Sequence, residues 1–534
     1  MRKRISVLLA ILFVLLMTVP AFAVPQQDSS LPVIYIAGRG FELTRPDGTQ
    51  IWAPQESALN NVIADLDALL ASYMSGAFKH NFEEFNDQLY RCIVPVYEDT
   101  ALGKNGMPTD GSGVRDENNW RLGLERITTT LRTSDGDYPV FRWQYDWRLS
   151  PITLAEELRD LIDAVLTKTG APQVNIISRC EGSTITYTYL YKYVQENKVH
   201  ACVLNSDITE GTDFLSAVFT GDISINPTAL YHFIRFYADS TDLTLKNPET
   251  TEMLLNLAGF CESVGALRFV TNDLERIVRN VRNEVIPRVV KTSFATFPAY
   301  WSMVSADAYE KAKAFIFADD AEEYADLIAL TDAYYEMQKN CIPFLRSLCG
   351  KVNVCVISKY GLPAMPLSEQ ALEESDLYLA VRLSSHGAIA ANYGETLSDK
   401  YIRGRIEAGY DKYISPDRKI DASVCALPDT TWFIKDISHK CFPACVEDLA
   451  LRFVNTDGMT VETDEAFPQF LQFDATDGGL NDAQGVLTAV KQTDKGSAFA
   501  ENSFLKKITN PFIRFFKLIQ SLIRLLKSKV SDRG

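Results

Sequence analysis

Histidine is scarce in this chain: five in 534 residues, at His80, His200, His232, His386 and His439. Chemistry that needs an imidazole base therefore has few places to find one. Positive charge is also in short supply. Lys and Arg number 53 against 69 Asp and Glu, a formal charge of −16 with a pI near 5.0, which argues against nucleic acid as a partner. The N-terminal apolar run, Ile5–Met17, falls short of the ~20 residues that span a bilayer, and no multi-span pattern follows it. Internal repeats are missing, which excludes a solenoid. None of the ten cysteines stands in Cys-x-x-Cys spacing, so there is no zinc-ribbon signature, and no metal or cofactor is expected. What is present is ordinary globular material, 46% hydrophobic and 11% aromatic, enough for a large core.

The charge is unevenly placed. Arg2-Lys3-Arg4 contributes +3 and residues 503–534 contribute +7, which leaves residues 24–502 at −26. A basic start, the short apolar run and Ala21-Phe22-Ala23 together form the pattern of a cleaved secretory leader over 1–23, with an uncleaved N-terminal anchor as the alternative. At the other end, Phe512, Ile513, Phe515, Phe516, Leu518, Ile519, Leu522, Ile523, Leu525 and Leu526 recur at helical spacing. Five basic residues lie within Pro511–Val530, which points to a helix lying on an anionic membrane surface rather than one crossing it. The competing expectation is that this helix docks on the acidic body. Among the cysteines, Cys341/Cys349 and Cys441/Cys445 are close enough in sequence for local pairing.

Short apolar, β-rich runs at Pro32–Ala37, Gln173–Ser178, Val352–Ser358 and Thr431–Lys435 alternate with helical stretches such as Leu154–Lys168. This predicts an α/β fold with a mostly parallel sheet and helices on both faces. The expected division is a core over 24–204 and 346–500, a helical cap inserted at 205–345, and the basic tail at 501–534. Glu98–Gly113, rich in Gly, Asp and Pro, is expected to be a loop or hairpin.

The chemistry is expected at Val174-Asn175-Ile176-Ile177-Ser178-Arg179-Cys180-Glu181-Gly182-Ser183. A nucleophile elbow puts its reactive residue on a sharp strand-to-helix turn, where the residues two before and two after must be small. Ser178 and Gly182 meet that demand for Cys180. Centring on Ser183 would place Glu181 and Ile185 at the crowded positions. A thiol near an imidazole and a helix N-terminus ionises readily and is a strong nucleophile. The backbone N–H of Glu181 and the loop at Gly38–Phe41, through Gly40 and Phe41, are the expected oxyanion donors. A buried structural cysteine is the plainer alternative.

In such hydrolases the order along the chain is nucleophile, acid, base. His80 precedes the elbow, His200 sits near the next helix, His232 lies in the expected cap, and His386 comes before any recognisable acid turn. His439 follows a strand and is the expected base. Ser415-Pro416-Asp417-Arg418-Lys419-Ile420-Asp421 resembles an acid turn, which makes Asp417 the expected acid and Asp421 its rival. Asp457-Gly458-Met459-Thr460-Val461 has similar form, but no histidine follows it.

Tyr145-Asp146-Trp147-Arg148-Leu149-Ser150-Pro151 and Phe297-Pro298-Ala299-Tyr300-Trp301 resemble segments of the lecithin:cholesterol acyltransferase family of α/β-hydrolases, which includes lysosomal phospholipases. The resemblance spans roughly Leu31–Pro443. Arg39 and Phe41 depart from the family's oxyanion loop, and Cys180 replaces its serine, as in dienelactone hydrolases on the same fold. The resemblance implies an α/β-hydrolase fold and acyl transfer from phospholipid or another lipid ester, with Cys180, Asp417 and His439 as the triad. Tyr145, Trp147, Tyr300 and Trp301 would then line the substrate site. A secreted protein that keeps this fold only to bind lipid or a surface is the alternative, because an exported catalytic thiol is open to oxidation. A cysteine peptidase is the third reading, without the papain-type context of its cysteine.

Overall fold

The computed structural model describes residues 31–39, 41–52, 68, 72, 75, 81–224, 226–239, 278–318, 320–476 and 478–483. The expected leader at 1–23, Gly40, His80 and the basic tail at 501–534 lie outside the described residues.

The four apolar runs seen in the sequence become strands at the centre of one sheet. In chain order its members are Val33–Ile36 (β1), Thr128–Thr133 (β2), Gly136–Trp143 (β3), Val174–Arg179 (β4), Val199–Asn205 (β5), Asn353–Tyr360 (β6), Thr431–Lys435 (β7), Phe470–Asp474 (β8) and Gly479–Asp482 (β9). Their order across the sheet is β9-β8-β7-β6-β5-β4-β1-β3-β2. Neighbours from β8 through to β3 are parallel. β9 and β2 close the two edges antiparallel.

Side chains on a strand alternate between its two faces, and β1 shows how both faces are filled. Ile34 and Ile36 enter a core with Leu154, Leu158 and Ile162 of α1 (Pro151–Thr169) and with Ile185 and Leu190 of α2 (Glu181–Tyr193). Val33 and Tyr35 enter the opposite core, with Val446, Leu449 and Phe453 of the helix Ala444–Val454. Each fully buried Leu or Ile is worth about 1.5–3 kcal/mol, so burial on both faces holds the strands in register. α1 is delimited as its sequence requires. The Ser150 side chain accepts from the Ile152 N–H at 3.2 Å, Pro151 takes the first turn, and Gly170 ends the helix at φ 70°.

The long β5–β6 connection carries the helices Asp213–Thr220, Ala306–Phe317 and Ala325–Lys339. It has an aromatic core of its own, in which Trp301 stacks on Phe317 and meets Phe219 and Tyr309 edge-on. Among the described residues no helix is long and apolar enough to cross a membrane. Cys341, Cys349 and Cys445 carry thiols, so the local pairings suggested by spacing are not formed.

Candidate active site

β4 runs directly into α2, and the single residue between them, Cys180, takes φ 54° and ψ −126°. For a residue with a side chain this backbone costs of order 1–3 kcal/mol, and it persists because the surroundings leave no alternative. The Cys180 N–H donates to the Asn205 carbonyl at 2.9 Å. A Cβ at Gly182 would stand 2.5 Å from the Ile36 carbonyl oxygen and 2.9 Å from that of Ala37, so α2 crosses β1 at a distance only glycine allows. Ser178 is buried and donates to the Val203 carbonyl at 2.7 Å. The turn leaves the Cys180 side chain half-buried against Ile208, Met303 and Leu379.

His439 lies in the loop after β7. Its Nδ1 is 2.8 Å from Asp376 Oδ2, and its backbone N–H donates to the Asp376 carbonyl at 2.9 Å. Asp376 is fixed in turn, its Oδ1 accepting from the N–H groups of Tyr378 at 3.0 Å and Leu379 at 2.8 Å. Burial alone would lower the basicity of the His439 ring. The Asp376 carboxylate, with Cys180 on the other side, more than offsets this and pushes the ring up to about 9. Burial likewise tends to raise the Cys180 thiol, but the charge of the His439 ring and a hydrogen bond with it bring the thiol below its ordinary value. Both shifts favour passing the proton from the thiol to the ring. A second Cys–His contact, Cys341 Sγ to His386 Nδ1 at 3.6 Å, behaves oppositely: burial pushes that thiol up to about 11. Of these two thiols, the one at the elbow is the more acidic.

The carboxylate that meets the His439 ring is Asp376, not Asp417 as expected. Asp417 pairs with Lys435 at 3.0 Å and accepts from Ser415 Oγ at 2.7 Å. Its rival Asp421 is buried on Arg405 at 2.8 Å and the Tyr401 hydroxyl at 2.7 Å. Both side chains are committed to holding their own turn and have no contact with the base. Asp376 instead follows β6, and in sequence it is one of several carboxylates, Glu373-Glu374-Ser375-Asp376, with no glycine turn to mark it. Asp457, as expected, is not in the site; it meets His200 at 2.9 Å on the surface.

The loop after β1, expected to supply oxyanion donors, passes against Cys180. A Cβ at Gly38 would lie 3.0 Å from Cys180 Cβ and 3.4 Å from its Sγ. Glu181 opens α2, and the N–H at the start of a helix has no acceptor within it, which leaves it available to a developing oxyanion. The Glu181 carboxylate is buried and raised by that burial, although the Arg39 guanidinium at 3.0 Å counters the shift. Arg39 spreads over the Tyr300 ring, 4.2 Å from its centroid, with Trp147 at 5.5 Å. Of the four aromatics expected to touch substrate, only Tyr300 is half-exposed; the other three are packed away. Tyr145 donates to the Ala37 carbonyl at 2.9 Å and Trp147 to that of Phe41 at 3.2 Å, so both brace the oxyanion loop from behind. Trp301 donates to the Ala295 carbonyl within the core of the β5–β6 connection. Asp146 and Arg148 form a buried two-point pair, and Arg148 also donates to Thr100 and Ser112 carbonyls. This ties the irregular 99–112 segment to the start of α1.

The base loop has a brace that the sequence did not disclose. Lys359 on β6 is buried, and its ammonium reaches the carbonyls of Ser438 at 3.4 Å, His439 at 3.3 Å and Cys441 at 2.7 Å. The Phe442 ring centroid lies 3.7 Å from the Lys359 ammonium and 4.0 Å from the Arg179 guanidinium. Burial lowers Lys359 to about 8.

No protein-family model matches the chain, and no curated protein is significantly similar to it. Among solved structures, the crystal structure of the Tle4–Tli4 complex aligns with 62% of this chain and 75% of that chain, at 11% identity and a TM-score of 0.26. That superposition is too loose to bear on fold or activity.

Proposed function

We propose that the chain is an exported acyl-ester hydrolase or acyltransferase of α/β-hydrolase fold, acting on lipid esters through Cys180, His439 and Asp376. The observation that carries this reading is the half-buried, acidified thiol at a strained strand-to-helix turn, beside an imidazole held by a carboxylate. The Cys180 thiolate would attack the ester carbonyl. The oxyanion would form against the Glu181 N–H and the loop after β1. Collapse would break the C–O bond, with the His439 imidazolium giving its proton to the departing alkoxide and leaving a thioester. His439, now neutral, would take a proton from water or an acceptor alcohol as its oxygen attacks that thioester, and the thiolate would leave. Asp376 holds the ring and stabilises its charge without accepting the proton.

The likeness of the Tyr145–Pro151 and Phe297–Trp301 segments to the lecithin:cholesterol acyltransferase family supports a lipid ester as substrate. The basic amphipathic tail supports work at a membrane surface after removal of the leader. Turnover of short-chain p-nitrophenyl esters and of phospholipid vesicles tests the reading. Cys180→Ala is expected to abolish both; turnover unchanged by this substitution would refute the reading, and absence of turnover by the unsubstituted chain would favour a lipid-binding protein.

A further inference from the structure

Beside the elbow, at the same end of the sheet, a second group of chemically reactive side chains takes no part in the proposed acyl transfer. Glu210 comes from the loop after β5, Cys341 from the start of the helix Cys341–Ser347, and His386 from the loop after the helix Val381–Ser384. One ligand atom from each lies within 4.8 Å of the other two. His386 and Cys341 are buried, and Glu210 is partly exposed.

The geometry at His386 is that of a ligand. Its Nε2 lies 3.0 Å from Asp207 Oδ2, and Asp207 is buried and itself held by Thr209 through N–H at 2.9 Å and Oγ1 at 2.6 Å. A carboxylate on the far nitrogen fixes the tautomer and aims the lone pair of the near one, as in carboxylate–histidine–metal arrays. On that near side, Nδ1 faces two groups at once: Glu210 Oε1 at 2.7 Å and Cys341 Sγ at 3.6 Å. One proton on Nδ1 can be directed at only one of them. A cation on the Nδ1 lone pair would engage both.

The spacing fits. With Zn–S about 2.3 Å and Zn–N about 2.0–2.1 Å, the S···N edge of a tetrahedron is about 3.6 Å. Glu210 would move out by less than about 1 Å to reach its own position, and as the exposed member of the set it has room to do so. Charge points the same way. Two carboxylates and a thiol surround one imidazole, and among the described residues no Lys or Arg forms an ion pair with Asp207 or Glu210. Thiolate, imidazole and carboxylate together select a borderline-soft divalent ion, zinc above magnesium or calcium.

We infer that Cys341, His386 and Glu210 bind a zinc-class divalent cation, with Asp207 orienting His386 and water in the fourth position. The ion would fasten the β5–β6 connection to the carboxyl end of the sheet. The sequence offered no cue because the three ligands are scattered over residues 210–386 rather than paired in a short motif.

The full chain carrying Cys180→Ala, in which the elbow thiol cannot itself take metal, is loaded with Zn²⁺ and dialysed against a weak chelator. Metal analysis is expected to find about one zinc per chain, in keeping with a single three-residue site. Adding Cys341→Ala or His386→Ala should remove it, and Asp207→Asn should weaken binding about 10- to 100-fold. With Co²⁺ in place of Zn²⁺, a thiolate charge-transfer band should appear and be lost with Cys341→Ser. Cys341→Ser and Glu210→Gln preserve volume and serve if the alanine variants do not fold. Folded protein that retains no zinc, or retains it equally in the Cys341 and His386 variants, would overturn the inference. Neither result depends on whether Cys180 acts on esters.

Discussion

At the scale of single residues, the identity of the acid is the sharpest point to test. The His439 ring is held protonated up to about 9, and after burial the Asp376 charge is the leading cause. For an ester whose alcohol needs a proton to leave, turnover should fall on the alkaline side as the imidazolium is lost, with a limb near pH 9. It should fall on the acid side as the thiolate is protonated, at a value below that of an ordinary thiol. Asp376→Asn removes the charge that raises the ring, so the alkaline limb should move down, with kcat lower by about 100-fold or more. Asp417→Asn should leave the limb where it is, because Asp417 faces Lys435 and Ser415. A pH–rate profile of both variants decides it. Iodoacetamide should correspondingly alkylate Cys180 faster than a free thiol at neutral pH, as mass spectrometry of the labelled peptide would show.

The elbow at Cys180 and the position of His439 beside it were legible in the sequence for a physical reason. An elbow imposes size limits on neighbouring residues, and Ser178 and Gly182 record them. A histidine after a strand stands out when only five exist. The acid leaves no such trace. A carboxylate held by two backbone N–H groups needs no glycine and no fixed spacing, so Asp376 looked like its acidic neighbours, whereas the better-formed turn at Asp417 serves only its own corner.

At the scale of elements, two close fits position the site. α2 reaches β1 at Gly182, where a methyl group would meet backbone oxygens rather than yielding side chains. Gly182→Ala should destabilise the fold by about 1–3 kcal/mol and slow turnover together, measured by denaturant unfolding and steady-state kinetics. Lys359 holds the base loop by three carbonyls. Lys359→Met fills similar volume but donates nothing, so kcat and the thiol's labelling rate should drop together while KM changes little. The Asp146–Arg148 pair holds the 99–112 segment against the start of α1. Arg148→Met leaves a buried carboxylate alone, at a cost of about 3–5 kcal/mol, readable as a lowered Tm. The sequence indicated the central strands, whose apolar runs need only burial to form. It was silent on β2–β3 and β8–β9, which are edge pairs with polar outer positions and weaker patterning.

At the scale of the whole molecule, the acidic body and basic tail divide the work between chemistry and surface attachment in the function proposed here. Deleting residues 503–534 removes +7 of charge. Co-sedimentation with anionic vesicles should fall and lose its salt dependence, while hydrolysis of a soluble short-chain ester continues. Unchanged vesicle binding would leave the tail without this role. The sheet sets a further condition on how the site works. His439 and Asp376 are joined both through their side chains and through the backbone, whereas the sulfur hangs from β4, with β5 and β6 between it and β7. Two attachments prevent the ring from swivelling away from its carboxylate. In the function proposed here, a displacement of the β7 loop relative to β4 would therefore separate sulfur from ring before it separated ring from carboxylate.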